Sequence, residues 1–159
     1  NIDKAIELHK NFEKNGIYFR WYIIGEGKER QKLEQLIQEA GLEERFILLG
    51  YRKNPYSYMK AADIFALLSS SEGFGMVVTE AKVLQKPILV TDFPAVKEQI
   101  EHGVNGLVVQ QDFFSLYAGL EQLLLNQDLR TSLVTSLEGF TIDNDYQYKR
   151  MQRYFFGEE

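Results

Sequence analysis

Two carboxylates, Glu72 and Glu80, stand with seven residues between them in the stretch Ser69-Ser70-Ser71-Glu72-Gly73-Phe74-Gly75-Met76-Val77-Val78-Thr79-Glu80-Ala81, which also carries two glycines. Gly73 and Gly75 remove side chains where the backbone turns. The amides that open a helix from about Phe74, Met76 among them, are thereby free to approach a diphosphate, aided by the helix dipole. Glu72 is unsuited to the phosphate itself, because like charges repel, and is better matched to neutral hydroxyls such as those of a sugar. Glu80 has Met76, Val77, Val83 and Leu84 as its neighbours three and four residues away on a helix, which places it on or beside an apolar face. An unpaired charge there is costly, and a vicinal diol such as a ribose would satisfy it. A salt bridge or a helix cap would also account for either carboxylate.

These groups need a strand before them and a helix after them. The run Asp63-Ile64-Phe65-Ala66-Leu67-Leu68 is short and almost wholly apolar, as expected of a parallel strand covered on both faces, beyond whose carboxyl end ligands collect. The chain as a whole alternates helices and strands in the rhythm of βα units, which predicts an α/β fold with a parallel sheet flanked by helices. Strands are expected at 19–24, 46–49, 64–68, 88–91 and 106–109. Helices are expected at 2–14, 29–40, 55–61, 76–84, 95–102, 113–125 and 128–137, with a last one, rich in Tyr and basic residues, at 143–155. In the first helix Ile2, Ala5, Ile6, Leu8, His9 and Phe12 fall near one face, and Asn15-Gly16 supplies the stop.

A length of 159 residues with 45% apolar content suits a single domain, residues 1–159, with one hydrophobic core. The balance of 18 basic against 23 acidic side chains gives a formal charge of -5, which argues against a broad nucleic-acid surface. The chain has no cysteine, so disulfides and thiolate metal sites are excluded. No apolar run approaches bilayer-spanning length and no signal peptide opens the chain, which says little about a longer parent.

Beyond the two carboxylates, Gly25-Glu26-Gly27, Phe46 to Gly50, Ala62-Asp63, Pro87, Thr91-Asp92, Glu98 and Asn105-Gly106 follow in an order that resembles the retaining glycosyltransferases of family 4, formerly group 1, with Glu72 and Glu80 as their E-x7-E motif. The resemblance runs from Trp21 to Val109. It implies the Rossmann-like C-terminal half of a GT-B fold, which holds a nucleotide-sugar donor, here a UDP-sugar for polysaccharide or glycolipid assembly. On that pattern Gly25, Gly27, Glu72, Gly73, Phe74, Gly75, Met76 and Glu80 bind the donor and Glu72 is the catalytic candidate. No metal or other cofactor is implied, and no nucleic acid. The resemblance places a glycan or lipid-linked acceptor on an N-terminal domain, with a cytoplasmic location and peripheral contact at the inner face of the membrane. It also implies a strand before Asn1 whose Arg and Lys neutralise the diphosphate. The fragment alone is therefore expected to bind donor weakly and transfer nothing.

Two departures from the family stand out: Pro94-Ala95 where relatives often have paired glycines, and Gln85 where a glycine often precedes Lys86-Pro87. The remaining candidates carry bland readings beside functional ones. Gly25-Glu26-Gly27 lacks a third Rossmann glycine and also suits a plain strand-to-helix turn. Arg52 and Lys53 suit either a nucleobase edge or solvent, and Tyr51, Tyr56 and Tyr58 receive no role. Glu98 also reads as a first-turn acid on a helix. His9 and His102 are assigned structural positions, with no clustered carboxylate to suggest a metal. Two alternatives remain open: the C-terminal domain of a nucleotide-sugar epimerase, and a non-catalytic binding or assembly module.

Overall fold

The computed structural model describes residues 1–70, 75–141 and 149. Two compact units divide the chain, the first ending at Pro55 and the second beginning at Tyr56.

In the first unit, α1 (Ile2–Lys14) buries Ala5, Ile6, Leu8, His9 and Phe12, a helical stripe spaced by three and four residues. It packs on α2 (Arg30–Ala40), whose Leu33 and Ile37 are buried. Strands β1 (Trp21–Ile24) and β2 (Phe46–Gly50) pair in parallel, Trp21 opposite Phe46. The expected start of β1 at residue 19 moves to Trp21 because Phe19 is engaged elsewhere. Its ring stacks on His9 at 4.3 Å, and its carbonyl accepts the His9 Nε2 proton at 3.2 Å.

The second unit contains α3 (Tyr56–Ala61), β3 (Phe65–Leu67), α4 (Met76–Val83), β4 (Ile88–Thr91), a 3-10 helix (Pro94–Glu98), β5 (Leu107–Val109), α5 (Phe113–Leu125) and α6 (Gln127–Thr135). Its sheet is parallel in the order β3-β4-β5. All four residues of β4 are buried, because the strand is covered on both faces. Ile88 and Val90 join Val78 and Ala81 of α4 in one cluster. On α5, the space a Cβ would need at Gly119 is filled by the side chains of Leu89 and Val109, so this helix packs closely on the β4 and β5 side chains. Asp112 and Asn126 cap α5 and α6 by accepting the Ser115 and Leu129 amides at 3.0 and 2.9 Å.

Two expectations need correction. Strand β3 is half-buried throughout where full burial was expected, and it lies at one end of the strand order. The helix expected at 95–102 is a five-residue 3-10 helix instead. The Gln99 carbonyl, which would continue an α-helix, accepts from Lys82 Nζ at 2.9 Å, and the Gly103 amide turns to the Gly106 carbonyl. Elsewhere the boundaries fall within two residues of the expected ones. The terminal helix expected at 143–155 lies outside the described residues, Lys149 excepted.

Candidate functional site

Helix α4 carries the site-bearing residues that the structure describes. Gly75 is its N-cap and adopts a left-handed φ of 64°, a conformation that an L side chain would strain. Its carbonyl receives the Val78 amide at 2.8 Å, while the amides of Met76 and Val77 belong to the first turn of the helix, whose amides have no acceptor within the helix itself. Met76 is exposed at 38%. One turn further on, Glu80 is buried, with 7% of its surface accessible, between Val78, Thr79, Ala81 and Lys82, which are buried too.

A buried carboxylate needs donors, and Glu80 has one. The Tyr56 hydroxyl, at the start of α3 and 1% exposed, donates to Glu80 Oε1 at 2.8 Å. Glu80 Oε2 has no hydrogen-bond donor or ion-pair partner among the described residues. The apolar-face reading of Glu80 therefore holds, and the salt-bridge alternative does not. One half of the carboxylate is satisfied by protein and the other half is left to accept.

The helix is anchored against the segment that follows β4. Thr79 Oγ1 and Gln99 Oε1 share a buried hydrogen bond of 3.0 Å, and Lys82 Nζ donates to the Gln99 carbonyl while lying 4.0 Å from the centre of the Phe140 ring. Burial lowers the Lys82 amine below its usual range by penalising the charged form, and the ring face and the carbonyl are what remains to stabilise it. At the mouth of the loop, the Thr91 hydroxyl bonds the carbonyls of Leu67 and Ser69, and Gln111 Nε2 donates to the Ser70 carbonyl at 3.3 Å. The chain leaving β3 is thus tied to β4 and to the residues after β5 up to the point where the described segment stops.

In the first unit, Gly25 follows β1 with a φ of 135° and donates its amide to the Gly50 carbonyl at 3.0 Å. A Cβ at Gly25 or Gly27 would meet nothing within 4 Å, so neighbouring atoms do not demand a glycine at either position. Backbone conformation demands one at Gly25 alone. Glu26, between them, pairs with Arg30 at 3.0 Å.

Of the residues expected to act together, Gly75, Met76 and Glu80 share α4, and Gly25 and Gly27 share the turn after β1. Glu72, Gly73 and Phe74 lie outside the described residues. Tyr56 was given no role from sequence, and nothing in its surroundings signals one. It stands 24 residues before Glu80 on a separate helix, and the only cue is general: a buried tyrosine hydroxyl usually finds a partner. Tyr51 is 72% exposed and Tyr58 37%. Glu98 is exposed and ends the 3-10 helix, so the first-turn reading of it fails. Asp92 accepts from Gln110 at 3.3 Å and pairs with Lys97 at 3.4 Å. His9 is buried in the first unit, and His102 Nδ1 accepts the Val108 amide at 3.1 Å. Among the described residues no three His, Cys, Asp or Glu side chains converge, and no described helix is long and apolar enough to cross a membrane.

Comparison with known proteins adds a family and a fold. The model of the family described as "Glycosyl transferases group 1" matches residues 1–136. Over 110 residues the chain is 36% identical to the N-acetylgalactosamine-N,N'-diacetylbacillosaminyl-diphospho-undecaprenol 4-alpha-N-acetylgalactosaminyltransferase of Campylobacter jejuni, covering 68% of this chain and 30% of that enzyme. Among solved structures it is similar to a TarM variant of S. aureus in complex with fondaparinux, alpha-GlcNAc-glycerol and UDP, with a TM-score of 0.79 and 23% identity across 99% of this chain and 32% of that one. It is also similar to Anabaena HepE in complex with UDP, with a TM-score of 0.74 and 23% identity across 87% and 40% of the two chains. At these identities the likeness is one of fold. The chain spans about a third of the length of the curated relatives it matches.

Proposed function

This chain belongs to the group 1 glycosyl transferases, and on that premise we propose that it binds the nucleotide-sugar donor, a UDP-sugar, of a retaining glycosyltransferase acting in polysaccharide or glycolipid biosynthesis. The observation that carries the proposal is Glu80: a buried carboxylate with Oε1 held by Tyr56 and Oε2 unpartnered among the described residues, one turn into a helix whose N-cap is a left-handed glycine. A nucleoside diphosphate matches that pattern, with hydroxyls for the carboxylate and oxyanions for the amides.

In the proposed transfer, the bond between the anomeric carbon and the diphosphate oxygen breaks with its electron pair leaving on the diphosphate. The acceptor hydroxyl oxygen forms the new glycosidic bond, and its proton passes to the departing diphosphate oxygen. Charge thus grows on the phosphates, where amides at Gly73 to Met76 would stabilise it. Glu80 takes the ribose and Glu72 the transferred sugar, with Phe74 and Gly75 among the donor-binding residues. The acceptor is a glycan or lipid-linked sugar held by the remainder of the parent enzyme, working at the inner face of the membrane. Among the relatives, the Campylobacter jejuni enzyme named above acts on an undecaprenol-linked saccharide, and HepE is solved with UDP-glucose as well as with UDP.

Amide NMR titration of the chain with UDP, without divalent cation, tests the reading. Shifts are expected at Gly75, Met76 and Glu80. Shifts confined to other surfaces, or binding that requires added metal, would refute it.

A further inference from the structure

We infer that Tyr56 is a positioning residue that sets the ribose selectivity of the donor site by fixing the Glu80 carboxylate; the inference rests on the donor-site reading above. The geometry is direct. Tyr56 and Glu80 come from α3 and α4, both side chains are buried, and the phenol donates to Oε1 at 2.8 Å. Because Tyr56 is packed in the same cluster as Met59, Val78, Ala81 and Phe93, its ring and hence its hydroxyl are held by the core and not by solvent. The phenol occupies one of a carboxylate's roughly four acceptor positions. Pinning Oε1 stops the carboxylate from rotating, so Oε2 keeps one orientation before any ligand arrives. A ligand hydroxyl then meets a preorganised acceptor, and a ligand without hydroxyls at that place gains nothing from it.

The chemistry also says what Tyr56 does not do. Its hydroxyl is spent as a donor to Glu80, so its effect on a nucleotide is transmitted through the carboxylate and should vanish when the ligand has nothing for the carboxylate to hold. A tyrosine that merely filled core volume would affect all nucleotides alike.

The test is calorimetry on the chain with UDP and with 2′,3′-dideoxyuridine diphosphate, which lacks both ribose hydroxyls. Tyr56→Phe keeps the ring and removes the donor. It should weaken UDP binding about three- to tenfold and leave the dideoxy compound within about twofold of the unaltered chain. In a Glu80→Ala background the same change should have no further effect on UDP. An equal loss for both nucleotides, or full UDP affinity in Tyr56→Phe while Glu80→Ala weakens it, overturns the inference and leaves the donor-site reading standing. Failure of the unaltered chain to bind UDP overturns both. Where Tyr56→Phe does not fold, Glu80→Asp retains the charge but withdraws it from the phenol. That variant should lose UDP affinity and spare the dideoxy compound, and undiminished selectivity for the ribose would overturn the inference.

Discussion

Gln85→Gly should stabilise the protein, although it deletes a whole side chain. Helix α4 ends in a Schellman arrangement: the Lys86 amide reaches back to the Ala81 carbonyl at 3.1 Å and the Gln85 amide to the Lys82 carbonyl at 2.9 Å. That pair of bonds requires a left-handed residue, and Gln85 supplies it at φ 51°, the only non-glycine with positive φ among the described residues. Holding an L-residue there costs about 1–2 kcal/mol. Glycine removes that strain but gives the unfolded chain more freedom, which offsets about 0.4–1 kcal/mol. The folded-state term is the larger, and a net gain of about 0.5–1 kcal/mol remains. The Gln85 side chain is exposed and makes no hydrogen bond among the described residues, so little is lost with it. For a urea m-value of about 2 kcal/mol/M the midpoint should rise by about 0.3–0.5 M with the slope unchanged. Gln85→Ala, which keeps the Cβ, should move it much less. A lower midpoint for the glycine variant, or an equal rise for alanine, would refute the strain argument.

Acidification should weaken the fold through His9. Burial lowers its pKa, partly opposed by Glu13, so the folded state favours the neutral ring and the unfolded state takes up the proton first. Stability should therefore be complete above about pH 6.5 and decline as pH falls below it; urea midpoints at pH 7.5 and 5.5 should diverge, and His9→Phe should reduce the divergence. Gly119→Ala would set a Cβ 2.6 Å from Val109 Cγ1, and thermal unfolding should show a loss of about 1–3 kcal/mol from overpacking. Calorimetry should separate the two carboxylates: Glu80→Ala is expected to weaken UDP and UDP-sugar alike by roughly 1.5–3 kcal/mol, whereas Glu72→Ala should spare UDP and weaken only the sugar's contribution. In the parent enzyme, transfer should appear only when the rest of the protein accompanies this chain, as product analysis would reveal.

Local pattern made much of this visible in the sequence. The apolar run through β4, the helical stripe of α1 and the burial of Glu80 all follow from periodicity and need no knowledge of partners. The 3-10 helix did not, because its early end depends on Lys82 taking the Gln99 carbonyl from another helix. The place of β3 at one end of the strand order is something a single apolar run cannot express. Tyr56 is the most instructive omission. Its role is set by a 2.8 Å contact between two helices, and at that sequence separation no spacing rule links a tyrosine to a glutamate. Gln85 is the converse: the glycine that relatives often carry there was itself the sign of the left-handed conformation that Gln85 now adopts.

The order in which the strands pair has a consequence for how the chain assembles. Each strand bonds to the next one in sequence within its unit, β1 with β2, β3 with β4 and β4 with β5. Every ladder therefore closes across a single intervening connection, and ring-closure entropy never has to span more than one βα crossover at a time. A chain emerging from the ribosome can complete each pairing as soon as the next strand is free, without waiting for a distant segment. Strand β3 then waits for its partner only while α4 and β4 are being made, and α4, which bears Glu80, lies within the connection that this pairing closes.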